Sequence, residues 1–165
     1  MGFSKEKIVN REELLRKIAA WREAGDRIVF TNGCFDILHP GHIDNLEKAR
    51  SLGARLLVGL NSDASVQRLK GPSRPVQPEE VRAQMLAALG CVDAVCLFAE
   101  DTPLELIKAV LPDVLAKGGD YQPHEVVGHD VLAAHGGHVV IIPLTPGYST
   151  TDLIKRIKES NQARK

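Results

Sequence analysis

Five short apolar runs, separated by stretches of helical periodicity, constrain the fold of this chain more than any other feature. They are Arg27-Ile28-Val29-Phe30-Thr31, Arg55 to Leu60, Asp93 to Leu97, Val114-Leu115-Ala116 and His138 to Ile142. The clearest of them, Arg55 to Leu60, does not alternate polar with apolar residues, the mark of a strand buried on both faces. Strands alternating with helices predict an α/β fold, a doubly wound parallel five-stranded sheet with helices on both faces.

The helices carry their own punctuation. A leading helix over residues 11–24 follows Asn10, with Glu13 as its capping partner and Leu14, Leu15, Ile18 and Trp21 at core spacing. A second opens near Gly41, carries Ile43, Leu46 and Ala49 on one face and stops near Gly53. Asn61-Ser62-Asp63 caps a short helix ending around Leu69, and Pro78 suits the first turn of the next, with Glu79 and Glu80 at its N-terminal dipole. Thr102 to Glu105 reads as a capping box for a helix closed by Pro112. Ser149 to Asp152 reads as another, opening an amphipathic helix through Leu153, Ile154 and Ile157 with a tail that frays from about Ser160. No element is assigned between Asp120 and His138.

The 165 residues suit one domain, 1–165, without linker or repeat. Lys plus Arg and Asp plus Glu balance at 21 each, which argues against a general nucleic-acid binder. No apolar run approaches membrane-spanning length and Met1 to Lys7 lacks a signal-peptide core, so no membrane partner and a cytoplasmic location are expected. The three cysteines show no metal-ligand spacing, and Cys91 and Cys96 read as reduced core thiols. Cys34 has no base partner in view and is not read as a nucleophile.

The chemistry concentrates in Thr31-Asn32-Gly33-Cys34-Phe35-Asp36-Ile37-Leu38-His39-Pro40-Gly41-His42, where the first strand gives way to a helix. Histidines three apart at a helix N-terminus share a face, and the unpaired N–H groups and positive dipole there attract phosphate. A zinc reading needs further ligands and finds no obvious partner. Other candidates also follow strands or open helices. Lys70 stands with Arg74 on a Gly- and Pro-rich loop that would close over phosphates. Arg82 either points at a triphosphate or pairs with Glu79. Lys117-Gly118-Gly119-Asp120 allows close approach to a flat base, and Ser149-Thr150 offers hydroxyls and helix N–H groups to phosphates. His124, His129, His135 and His138 read as surface or structural, and Trp21 as core.

The Thr31 to His42 stretch resembles the signature of the nucleotidyltransferase superfamily, whose fold is a Rossmann-like sheet of nucleotidyltransferase type. The likeness extends over Asn61-Ser62-Asp63, Arg68-Leu69-Lys70-Gly71 with Arg74-Pro75, Lys117 to Tyr121 and Gly147-Tyr148-Ser149-Thr150-Thr151, and is nearest the heptose-phosphate nucleotidyltransferases. It implies AMP transfer from ATP to D-glycero-D-manno-heptose 1-phosphate, giving ADP-heptose and pyrophosphate for lipopolysaccharide core synthesis. His39, His42 and Lys70 would be catalytic. Thr31, Asn32, Gly33, Cys34, Phe35, Asp36, Gly41, Arg82, Lys117, Gly118, Tyr148, Ser149 and Thr150 would bind nucleotide, with Gly33 giving a close turn over it and Asp36 orienting the loop or a histidine. Asp63, Arg74 and Asp120 would bind the sugar phosphate. Mg²⁺ would arrive with the triphosphate, with no ligands from protein side chains, and a homodimer is implied.

Cytidylyltransferases acting on glycerol phosphate or another small polyol or sugar phosphate are the same-class alternative. Those for glycerol phosphate or choline phosphate carry an arginine before the last helix where this chain has Leu144-Thr145-Pro146-Gly147-Tyr148-Ser149-Thr150. A catalytically silent nucleotide-binding regulator is opposed by the intact His39, His42, Lys70 and Ser149. A dinucleotide-dependent oxidoreductase is opposed by the lack of Gly-x-Gly-x-x-Gly after the first strand.

Overall fold

The computed structural model describes residues 4–162. Its first helix, α1 (Arg11–Glu23), begins where reciprocal capping places it. Asn10 Oδ1 accepts from the Glu13 amide at 2.9 Å, and Glu13 Oε2 accepts from the Asn10 amide at 3.0 Å. The chain then runs through β1 (Ile28–Gly33), α2 (Pro40–Arg50), β2 (Arg55–Asn61), α3 (Asp63–Lys70), α4 (Glu79–Ala87) and β3 (Ala94–Phe98). It continues through α5 (Leu104–Val110), β4 (Val114–Gly118), α6 (His129–Ala134), β5 (His138–Ile142) and α7 (Thr150–Gln162).

The five strands form one sheet in the order β3-β2-β1-β4-β5, and every pair is parallel. The chain steps outward from β1 to β2 to β3, then returns to the opposite side of β1 for β4 and β5. The direction of winding therefore reverses between β1 and β4, the place where open parallel sheets bind ligands.

Neighbouring residues of each inner strand feed opposite cores, which is why these strands read as unbroken apolar runs. Phe30, Leu57 and Leu115 pack with Leu14, Ile18, Leu106 and Leu132 on the face covered by α1, α5 and α6. Val29, Leu56, Val58 and Val114 pack with Leu46, Ala49 and Leu86 on the face covered by α2 and α4. Trp21 is partly buried against the first core, with the Arg55 guanidinium 5.5 Å above its ring. Cys96 is buried and Cys91 half-buried, and burial pushes the Cys96 thiol up to about 11.

Two aspartates just before strands serve the strand beside them. Asp113 Oδ2 accepts from the Ile28 amide at 2.7 Å, and Asp93 Oδ2 accepts from the Leu56 amide at 2.8 Å. Asp93 also pairs with Arg50 at 3.1 Å and Arg55 at 3.6 Å. The N-terminal segment covers the outer edge of β3, with the Val9 amide donating to the Val95 carbonyl at 3.0 Å.

Several boundaries differ from the sequence reading. Pro103, not Thr102, caps α5, and no side chain caps it, so the Thr102 to Glu105 box does not form. Pro78 lies just outside α4 as its cap. Helix α6 and a 3₁₀ turn at Pro123–Glu125 occupy the stretch left without an element. Six residues with one buried side chain, Leu132, are too few to show helical periodicity. Helix α7 continues past Ser160 to Gln162, and the last three residues of the tail lie outside the described residues. Among the described residues no helix is long and apolar enough to cross a membrane.

The Asp93 carboxylate satisfies an amide at the start of an inner strand. Asp93→Ala is expected to lower stability by about 1–3 kcal/mol in urea denaturation, because the Leu56 N–H then loses its partner. Asp93→Asn, which keeps an acceptor oxygen, is expected to lose less.

Candidate active site

A cavity of about 340 Å³ opens at the carboxyl ends of β1 and β4. It is lined by residues 31–36, by the start of α2, by Lys70, by Lys117 and Gly118, and by the segment leading into α7.

Helix α2 starts in an unusual way. His39 is its N-cap, and the Nδ1 of its own ring accepts from the His42 amide at 3.3 Å, the task that Ser or Asp side chains usually perform. Pro40 fills the first helical position, where no N–H is needed. This cap holds neutral His39 in the tautomer with its proton on Nε2. One turn on, the His42 ring stacks on it, with centroids 3.7 Å apart and planes 19° apart. The i, i+3 spacing thus brings the two rings face to face. Tyr148 lies parallel to His39 at 6.3 Å, and Phe35 meets His42 edge-on at 5.2 Å.

Small residues make this crowding possible. A Cβ on Gly33 would stand 3.0 Å from the Phe35 ring, and one on Gly41 would stand 3.0 Å from Tyr148 and 3.1 Å from the His39 ring. Both glycines therefore leave room for the site's own rings. Phe35 itself adopts a left-handed backbone with φ 43°, a conformation costly for a non-glycine residue.

The electrostatics favour neutral imidazoles. Burial, then the neighbouring His39 and Lys70, lowers the pKa of His42 to about 4. Burial also lowers that of His39. The Nδ1 of His42 is buried with no hydrogen-bond partner among the described residues. Burial lowers the pKa of Lys117, whose Nζ lies 5.7 Å above the Tyr121 ring.

Two charged residues fasten the surrounding loops. Asp36, 3% exposed, accepts from Arg74 Nε at 2.6 Å and from the Val76 and Gln77 amides at 2.8 and 2.9 Å. Burial pushes the Asp36 carboxyl up, but these donors outweigh it and hold the pKa below the usual carboxylate value. Arg82 is 1% exposed and donates to the carbonyls of Cys34 (2.7 Å), Asn61 (2.8 Å) and Gln77 (3.0 Å) and to Asp63 Oδ1 (2.7 Å).

These contacts revise part of the sequence reading. Arg82 neither lines the cavity nor pairs with Glu79, which instead accepts from the Asp63 amide at 2.7 Å. Asp63 and Arg74 are held by Arg82 and Asp36 outside the cavity lining, and Asp120 is exposed beyond it. The loop after Lys70 is tied down through Asp36, so it is an anchored loop. Lys70 reaches the cavity from the last residue of α3. The remaining candidates converge there: Thr31, Asn32, Gly33, Cys34, Phe35, Asp36, His39, Gly41, His42, Lys70, Lys117, Gly118, Tyr148, Ser149 and Thr150. The Ser149 hydroxyl is already engaged with Asp152, accepting from its amide at 3.0 Å and donating to its carboxylate at 2.7 Å.

Four further residues line the cavity: Asn45, Leu144, Thr145 and Thr151. Asn45 had a signal, standing i+3 from His42 on the same helix face. Thr145, which donates to Asp44, is placed there only by the loop that follows β5. Among the described residues Asp36 is the only carboxylate on the lining, and it is engaged. Among them, too, no group of three or more His, Cys, Asp or Glu is placed to hold a metal ion.

Residues 30–156 match the family model described as Cytidylyltransferase-like. The chain belongs to the cytidylyltransferase-like family. Family relatives include the bifunctional protein HldE of Azorhizobium caulinodans, 56% identical over 151 residues, or 92% of this chain and 32% of that protein. The bifunctional protein HldE of Rhodopseudomonas palustris (strain BisB5) is 57% identical over 157 residues, covering 94% of this chain and 32% of its own length. The chain thus spans about a third of the length of these curated relatives. Among solved structures, the lipopolysaccharide core biosynthesis protein from Thermoplasma volcanium aligns with a TM-score of 0.60 at 30% identity, over 73% of this chain and 98% of that one.

Two outcomes follow from the geometry. With its folded pKa near 4 against 6.5 in the unfolded chain, His42 is neutral in both states above pH 6.5. Between pH 6.5 and 4 the unfolded state takes up the proton first, so stability falls as pH drops through that window. Urea midpoints measured across it are expected to decline less steeply in His42→Asn. Arg82→Met strands the buried Asn61 carbonyl and takes the donor from the half-buried Cys34 carbonyl and Asp63 carboxylate, and is expected to cost about 3 kcal/mol in the same assay.

Proposed function

We propose that this chain transfers AMP from ATP to D-glycero-D-manno-heptose 1-phosphate, releasing pyrophosphate and forming ADP-heptose for lipopolysaccharide core synthesis. The observation that carries the reading is the stacked, neutral His39–His42 pair at the N-terminus of α2, facing one cavity with Lys70, Lys117 and the N-terminus of α7. The similarity to the HldE proteins, and to a protein of lipopolysaccharide core biosynthesis, favours the heptose-phosphate branch.

A phosphate oxygen of the sugar phosphate attacks the α-phosphorus, a new P–O bond forms, and the bond to the β-phosphate oxygen breaks with its electron pair leaving on pyrophosphate. The attacking oxygen is already anionic near pH 7, so no general base is needed. The work is to bring two anions together in line and to stabilise charge on the non-bridging and leaving oxygens. Neutral imidazoles donate through N–H without adding charge to a site that already holds two lysines. The helix N-termini of α2 and α7 offer further N–H groups, and Lys70 serves the departing phosphates. Magnesium enters as part of the MgATP substrate. A homodimer and a cytoplasmic location belong to the same proposal.

A pyrophosphate-release assay crossing four nucleoside triphosphates with sugar and polyol phosphates tests it. Release with ATP and the heptose phosphate is expected, and release only from CTP with glycerol phosphate overturns the choice. In that assay His42→Ala and His39→Ala are expected to lower kcat about 10²–10³-fold with a much smaller change in ATP affinity. Lys70→Ala is expected to show a turnover defect of the same kind, and a wild-type rate removes it from the mechanism.

A further inference from the structure

Of the four lining residues that the sequence reading did not single out, Asn45 is the one with a buried polar atom that has no partner among the described residues. Asn45 stands on α2 one turn beyond His42, away from the helix N-terminus where the phosphate-binding groups gather. Nothing among the described residues hydrogen-bonds to its carboxamide, and its Nδ2 is buried without a partner. A Cβ built on Gly118 would stand 2.6 Å from that Nδ2 and 3.3 Å from Leu144 Cδ2, so Asn45, Gly118 and Leu144 converge on one spot at the end of β4. Nδ2 is buried against Gly118 and Oδ1 is not among the buried unpartnered atoms, so Oδ1 is the end of the carboxamide left to the cavity that Asn45 lines.

A glycine, a leucine and one carboxamide make a poor seat for phosphate, which calls for cations and N–H donors. They make a good seat for a flat heterocycle, whose faces are apolar and whose edge carries hydrogen-bonding groups. The geometry points to Asn45 as a residue that determines nucleotide specificity: its Oδ1 accepts a hydrogen bond from the exocyclic amino group of the nucleobase. An oxygen acceptor at this place favours a base whose edge presents the 6-amino group of adenine or the 4-amino group of cytosine over one that presents the 6-oxo group of guanine or the 4-oxo group of uracil there. The carbonyl would confront a carbonyl in the second pair, leaving both without a donor.

The inference rests on the nucleotide-transfer reading, and its test needs no sugar phosphate. Binding of ATP, purine riboside triphosphate (which lacks the 6-amino group) and ITP (6-oxo) is measured by calorimetry on the wild type, Asn45→Leu and Asn45→Asp. The wild type is expected to prefer ATP over purine riboside triphosphate by roughly 5- to 10-fold, and over ITP by more. In Asn45→Leu the first ratio is expected to fall to near one. Asn45→Asp keeps an acceptor oxygen and is expected to retain the ratio while binding all three more weakly, since it adds a negative charge near the phosphates. A wild type that binds ATP and purine riboside triphosphate equally overturns the inference and leaves nucleotide transfer standing. So does an Asn45→Leu protein that weakens both by the same factor, the signature of a merely structural role. No binding of any triphosphate overturns both.

Discussion

The buried guanidinium of Arg82 is the interaction on which the site end of the sheet depends. The carbonyls of Cys34, just past β1, and of Asn61, at the end of β2, both point at it in the interior. Arg supplies five N–H groups in a fixed planar fork, so one side chain answers both carbonyls, the Gln77 carbonyl and the Asp63 carboxylate together. Three segments distant in sequence are thereby fastened at one point. Asp36 adds a second fastening a few residues away, drawing Arg74 and two amides of the same loop onto the motif. With both in place, the start of α2 is held where its histidines face the ends of β1 and β4.

That rigidity bears on the electrostatics. Charge that develops on phosphate oxygens is stabilised best by donors that need not reorganise. The His39 ring is locked by its role as helix cap, and His42 is locked between that ring and the edge of Phe35. Burial lowers the pKa of both imidazoles, and the nearby His39 and Lys70 add to the effect at His42. The left-handed backbone at Phe35 is part of the same arrangement, since it turns the Phe35 ring back over Gly33 and against His42.

Much of this was legible in the chain. Each inner strand announces itself because both of its faces are apolar, as Val29 beside Phe30 and Leu56 beside Leu57 illustrate. The caps at Asn10, Ser62 and Ser149 depend on side chains reaching amides three residues away, a local rule. Where local rules conflict they misled, as at Pro103, which takes the cap position from Thr102. Helix α6 escaped notice because a six-residue helix has too few turns to print a period on the sequence.

The sequence by itself determined the alternation of strands and helices and the pairing of His39 with His42. Both follow from local rules: strand burial sets the first, and the cap position of His39, three residues before His42, sets the second. Only the tertiary structure decided where Arg82, Arg74 and Asp63 stand: the sequence reading sets them beside a ligand, and the fold holds them in ion pairs outside the cavity lining. Whether an arginine turns outward to a phosphate or inward to carbonyls depends on which acceptors neighbouring strands leave unpaired, and those acceptors come from segments dozens of residues away. The same holds for Asn45, whose solitude becomes visible only when Gly118 and Leu144 are brought against it.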